Sequence, residues 1–163
     1  MANTQSMCTS FMSELMYGYH QFGAPTLTSR GSLTAPTNDT FKGALYLTTA
    51  TVNASTTAYS ATNEVSGTGY TAGGVTVTNG TAPTSSNTSS TAGVAYWTPS
   101  ASLTYTTVTL TTAFDTVLIY NSTQGNRAVS VHTFGSQTIT AGTFTLTMPS
   151  NTTSTALLRF STT

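Results

Sequence analysis

Two stretches of strict alternation constrain this chain more than anything else in it. "SLTYTTVTL" (102–110) sets Leu103 and Tyr105 against a face of threonines, and "GTFTLTMP" (142–149) repeats the device with Phe144, Leu146 and Met148. A period of two belongs to a strand with one face buried and one face wet, and it does not fit a helix. Between them, "TVLIY" (116–120) is a continuous apolar run, the mark of a strand covered on both faces. "NSTQGNR" supplies turn residues, and "AVSVHTF" alternates again with Val129 and Val131, so these two segments predict a hairpin. "FKGALYL" (41–47), "VAYWTP" and "TALLRF" read as further strands, with a short one ending near Thr78. Many short strands separated by turns predict an antiparallel β-sandwich or barrel instead of a parallel α/β sheet.

Composition narrows the class further. The 163 residues suit one domain, with room for a terminal arm, and only 5% of them are charged, against about 25% in an ordinary soluble domain. Thr and Ser fill the gap. Zero net charge with eight Tyr, seven Phe and one Trp argues against disorder. Lys42, Arg30, Arg127 and Arg159 are the only basic residues, too few for a phosphate-binding surface, so no nucleic-acid partner is expected. No window approaches 18 consecutive apolar residues, and no membrane partner is expected. A lone Cys8 rules out an internal disulfide. The N-terminus lacks the basic and apolar regions of a signal peptide. The six Asn-x-Ser/Thr triplets (Asn38, Asn53, Asn79, Asn87, Asn121 and Asn151) are what chance provides in a chain so rich in Ser and Thr.

The first segment breaks the β pattern. "CTSFMSELMYGYHQFG" spaces Phe11, Leu15, Tyr19 and Phe22 by four, four and three, with Met12 and Met16 widening the stripe. That is helical periodicity, and it predicts a helix over about residues 5–22, stopped by Gly23 and Pro25. Residues 24–40 hold two prolines and read as an extended connector. The expected organisation is a helical arm (1–23), the connector (24–40) and the β-sandwich domain (41–163). "TNGTAPTSSNTSSTAG" reads as an exposed loop. The stripe of Phe11, Met12, Leu15, Met16, Tyr19 and Phe22 has two readings. It packs on its own domain as core, or it is the anchor of an arm on a neighbouring subunit, where aromatic and Met side chains are typical.

Signs of chemistry are sparse. "NEVSGTGYTAGG" (63–74) invites a phosphate-loop reading, but Gly73-Gly74 lead into strand-like Val75-Thr76-Val77, with no lysine nearby. A phosphate loop instead delivers its glycines to a helix N-terminus. The glycines fit better as positions of positive φ in a tight connection. His20 and His132 are the only imidazole bases, with Asp115 a conceivable orienter of His132, yet no Gly-x-Ser-x-Gly elbow accompanies them. Cys8 lacks a catalytic signature. Glu14, Asp39, Glu64 and Asp115 are scattered, and two histidines with one cysteine match no metal-ligand pattern. No catalytic residue, metal or cofactor is expected.

Two segments carry a family resemblance. "TFKGALYLTTATVNASTTAYSATNEVSGTGYTAGG" (40–74) and "VLIYNSTQGNRAVSVHTFG" (117–135) resemble, in this order, segments of small virion proteins of tailed bacteriophages. The short helix before the connector is similar too. The insertion "GSLTAPTND" (31–39) is a departure, lengthening the connector before Phe41. The resemblance implies a non-enzymatic structural protein of the particle, and within that group a capsid decoration or cement protein of jelly-roll type. Its partners would be the major capsid protein or other virion proteins, in a homo-oligomer or multi-copy assembly. It would be made in the host cytoplasm and located in the virion. A tail, neck or baseplate component is the first alternative. A carbohydrate-binding β-sandwich presenting Tyr70, Tyr96 or Trp97 is the second.

Overall fold

The computed structural model describes residues 2–23, 37–86 and 92–162. Most of the expected connector (24–36), with Arg30, and positions 87–91 of the Thr/Ser-rich stretch, with Asn87, lie outside the described residues. In chain order the elements are β1 (Ser6–Met7), α1 (Thr9–Met16), β2 (Phe41–Leu47), β3 (Val75–Thr76), β4 (Thr84–Ser86), β5 (Val94–Trp97), β6 (Leu103–Asn121), β7 (Arg127–Leu146) and β8 (Leu158–Ser161). They build two antiparallel sheets, one ordered β1-β7-β6-β2-β3 and the other β4-β5-β8. The fold is therefore mainly β and sandwich-like, with one short helix near its N-terminus, as the alternation dictates.

The frame is the β6–β7 hairpin. Val117 pairs with His132, Leu118 with Val131 and Ile119 with Ser130, which is the pairing expected for "TVLIY" and "AVSVHTF". The alternating segments read as separate strands are continuations of the same two, which reach 19 and 20 residues. Five register shifts interrupt the ladder. Each such irregularity bends and twists the ribbon locally, so strands far longer than the usual 3–10 residues can follow a globular surface.

Cross-strand partners share a face, so Phe41, Leu45, Val117, Ile119 and Asn121 lie on one face with Ser130 and His132. That face meets the small sheet. Phe41 stacks on Phe22 (ring centroids 4.5 Å apart, planes at 15°), and Phe22 meets Trp97 of β5 at 4.6 Å and 60°. The opposite face carries Tyr46, Leu118 and Tyr120. It is covered by the excursion between β2 and β3, whose Tyr59 stacks on Tyr120 at 4.6 Å and 15°. The unbroken run "TVLIY" is thus explained, since both of its faces are core. Each large side chain buried here contributes about 1.5–3 kcal/mol.

The glycine-rich stretch lies against the sheet, bridged at Tyr46–Glu64 and Thr68–Thr109. A Cβ on Gly74 (φ +72) would sit 1.7 Å from the Gly43 carbonyl oxygen, and one on Gly67 would sit 2.0 Å from that of Thr109. Backbone rests on backbone at these points, which leaves room only for hydrogen. These glycines serve packing.

Three expectations are corrected. The helix spans Thr9–Met16 and not 5–22, because Gly18 (φ +76) closes it. Gly18 N donates to Leu15 O and Tyr19 N to Glu14 O, both at 3.0 Å, the paired bonds of a Schellman cap. Residues 6–7, placed in that helix, form strand β1 on the edge of β7. Residues 84–86, placed in an exposed loop, form β4 against β5. The N-terminal segment also shares the core of the β-domain. Asn3 Nδ2 donates to Leu47 O (3.0 Å), Cys8 N to Val129 O (3.0 Å) and Thr9 N to Ala54 O (2.8 Å).

Candidate functional site

The six-residue stripe divides. Phe11 and Phe22 are buried among the aromatic rings between the sheets, so in this chain they are core and not anchors. Leu15 is half-buried. Met12, Met16 and Tyr19 are exposed, and Tyr17, outside the helical spacing, joins them. Met16 is 89% exposed and Tyr17 77%. Among the described residues the only other large exposed hydrophobic side chain is Phe160 of β8, whose ring lies 6.4 Å from that of Phe11. All five therefore gather around α1 and the adjoining strand of the small sheet. Beside them opens an apolar cleft of about 100 Å³, lined by Phe11, Leu15, Phe22, Tyr96, Leu158 and Phe160. Large exposed hydrophobic side chains are ordinary when scattered singly, and here four of the five fall within the eight residues 12–19.

Beneath the patch lies a buried polar network. Glu14 of α1 accepts from Arg127 Nη1 of β7 (2.7 Å) and from His20 Nε2 (2.8 Å). Arg127 also sits 4.5 Å from the centre of the Tyr19 ring, a cation–π contact that holds this part of the patch. His20 Nδ1 meets Asn121 Nδ2 at 3.1 Å, and the same Nδ2 donates to Asp39 Oδ2 at 2.7 Å. Asp39 Oδ2 also accepts from Gln21 N (2.8 Å), and Asn79 Nδ2 donates to the carbonyls of Gln21 and Asp39 (3.2 and 3.0 Å). Asn121, one of the chance glycosylation triplets, is fully buried and is the hub. Burial lowers the pKa of His20 below its ordinary value against the opposing pull of Glu14 and Asp39.

The other carboxylates are committed as well. Glu64 accepts from Tyr59 Oη (2.6 Å), Tyr70 Oη (2.7 Å) and Gly73 N (2.7 Å), so it ties the glycine-rich stretch together. Burial raises all the tyrosines around it, Tyr46 and Tyr120 to about 12, so they remain hydrogen-bond donors. Asp115 accepts from Asn3 Nδ2 (2.8 Å) and Thr116 Oγ1 (2.7 Å).

The residues weighed for chemistry do not assemble. Asp115 does not reach His132, whose Nε2 instead meets Ser130 Oγ at 2.8 Å. Ser130 is almost wholly buried, and desolvation holds His132 at about 4. His132 is partly buried on the inner face of its strand and does not lie on an exposed one. Cys8 is fully buried, and burial followed by the Glu14 charge pushes its thiol up to about 12, away from the thiolate a nucleophile needs. Among the described residues no group of three or more His, Cys, Asp or Glu side chains is placed to hold a metal ion, and no helix is long and apolar enough to cross a membrane. Of the aromatics considered for sugar binding, Trp97 is core with its Nε1 donating to Thr81 O at 2.7 Å, and the Tyr70 hydroxyl is held by Glu64. Comparison with protein-family models, curated proteins and solved structures gives no match.

Proposed function

We propose that this chain is a non-enzymatic structural protein of a tailed-phage virion, a capsid decoration or cement protein that binds and stabilises the head shell. The family reading and the jelly-roll-like character of the sandwich come from the resemblance of residues 40–74 and 117–135. The observation that supports an interaction role is the patch: every large hydrophobic side chain exposed among the described residues lies on α1, its cap and Phe160. Met16, Tyr17 and Tyr19 are the residue types that anchor protein interfaces. The non-enzymatic part of the reading is supported by the four carboxylates each accepting hydrogen bonds from donors within the chain.

Docking through such a patch is driven by apolar and hydroxyl surface with little help from ion pairs, so it should survive added salt. The test is co-sedimentation with heads lacking the protein, at low and moderately high salt. Stoichiometric binding at both is expected, and a Met16→Ser/Tyr17→Ser double variant should lose it while its thermal unfolding stays within a degree or two of wild type. Protein left in the supernatant while bare heads resist disruption unaided would sink the decoration reading. Binding to isolated tails instead would move the protein to the tail, neck or baseplate.

A further inference from the structure

We propose that His20 is an acid-sensitive latch: neutral, it clasps the segment that carries α1 to the large sheet, and its protonation loosens that segment together with the apolar patch. This concerns the chain alone and does not rest on the virion reading.

The geometry fixes the protonation state of the ring. Asn121 Oδ1 accepts from two backbone amides, Thr123 N (3.1 Å) and Gln124 N (3.2 Å). Its Nδ2 donates to the Asp39 carboxylate at 2.7 Å. Reversing the amide would place oxygen against carboxylate and N–H against N–H, so the orientation is determined by its partners. The amide nitrogen therefore faces His20 Nδ1 with a hydrogen, and Nδ1 must supply a lone pair. The ring proton is then on Nε2, where Glu14 Oε2 accepts it at 2.8 Å. A second proton has only Nδ1 to go to, and there it meets the hydrogen of Asn121.

The groups facing the ring come from each element around it. Glu14 belongs to α1, Asp39 leads into β2, Arg127 starts β7 and Asn121 ends β6, while Phe11, Phe22 and Phe41 enclose the ring. The carboxylates favour an imidazolium; burial, Arg127 and the fixed Asn121 amide oppose it. The side chain has no exposed surface, and its pKa is lowered on balance. A histidine whose pKa is lower in the closed than in the open state favours closure at neutral pH. That advantage is lost as pH falls from about 6.5 through the closed-state value. The opened segment takes a proton that the closed one refuses, so its opening constant rises up to about tenfold per pH unit over that window.

The test uses the intact chain. Nitrogen chemical shifts of the wild-type ring should show the Nε2–H tautomer at pH 7 and titration below 6.5. Hydrogen-exchange protection of the Gly18 and Tyr19 amides should fall on acidification, while Leu118 and Val131 in the central hairpin remain more protected. His20→Gln offers an acceptor oxygen and an N–H donor with no proton to gain, and its Gly18 and Tyr19 protection should stay level. The latch is overturned by a proton on Nδ1 at pH 7, by titration at or above 6.5, or by wild-type protection that does not change with pH. It is equally overturned if His20→Gln keeps the fall, or if Gly18 and Tyr19 exchange only together with Leu118 and Val131. The wild-type titration alone can refute it should the variant fail to fold.

Discussion

Phe22→Ala separates a core element from a detachable arm. Phe22 is 7% exposed and sits between the sheets, 4.5 Å from Phe41, 4.6 Å from Trp97 and 6.0 Å from Phe11. Truncating a buried Phe to Ala costs about 3–5 kcal/mol, and each aromatic pairing lost adds about 0.5–1.5 kcal/mol beyond area. Phe22 also lines the apolar cleft, so the space left merges with an existing gap and does not become a sealed void. A net loss of about 4 kcal/mol follows. With a urea slope of about 2 kcal/mol/M the midpoint should fall by about 2 M at unchanged slope. Trp97 is the only tryptophan and touches Phe22, so its fluorescence reads the event directly. Met16→Ala, on the helix but almost fully exposed, is the control and should change stability by less than about 0.5 kcal/mol. If Phe22→Ala costs under about 1 kcal/mol, the N-terminal segment contributes nothing to the core and the packing described above is refuted.

Glu64→Gln removes the charge that three donors share and should cost about 2 kcal/mol, read as a lower melting temperature with faster exchange at the Gly73 amide; unchanged exchange there would contradict the role given to Glu64. Gly74→Ala should destabilise severely, because its Cβ would fall 1.7 Å from the Gly43 carbonyl. Gly125→Ala, at a similar positive φ with no atom within 4 Å, should cost only about 1 kcal/mol, and equal urea midpoints for the two would remove the close-approach argument. His132 is held at about 4 by desolvation, against about 6.5 when unfolded, so the unfolded chain gains a proton first as pH drops. Its contribution to stability should shrink by about 3 kcal/mol between pH 6.5 and 4, and His132→Gln should flatten that part of a urea-midpoint profile.

The strands were legible because their signal is local. Alternation in "SLTYTTVTL" and "GTFTLTMP" and the unbroken "TVLIY" each report which faces are wet, whatever the partner. What joins those segments into two long strands is a set of register shifts, and bulges leave little trace in hydroxyl-rich sequence. The helix is shorter than its apolar stripe because the spacing of Phe11, Leu15, Tyr19 and Phe22 continues past the residue that stops it. Gly18 is the available signal, a glycine inside the stripe, and the stronger stop at Gly23-Ala24-Pro25 masks it. Tyr19 and Phe22 keep helical spacing without being helical, so periodicity alone could not tell their fates apart. The polar network was illegible for a different reason: Asn121 joins His20 and Asp39 across 101 and 82 residues of sequence, and nothing local marks it except that the chain has so few charges to place.

That scarcity links the core to the surface. A chain with four carboxylates and four basic residues would ordinarily keep them in water, yet Glu14, Asp39 and Glu64 are buried, and Asp115 is tied to Asn3 and Thr116. Arg127 lies over Tyr19 and against Glu14, and Arg159 donates to the Ser154 carbonyl at 2.8 Å. Among the described residues the buried carboxylates organise loops and the N-terminal segment, and much of the exposed surface falls to Thr and Ser. With zero formal net charge, the chain has little long-range repulsion between its copies. On the proposed reading, binding specificity would come from shape and apolar contact, and among the described residues the exposed large hydrophobic side chains lie on α1, the residues just after it and Phe160. Because α1 is tied down through Glu14 and His20, the element that presents the patch is also the one whose seating responds to acid.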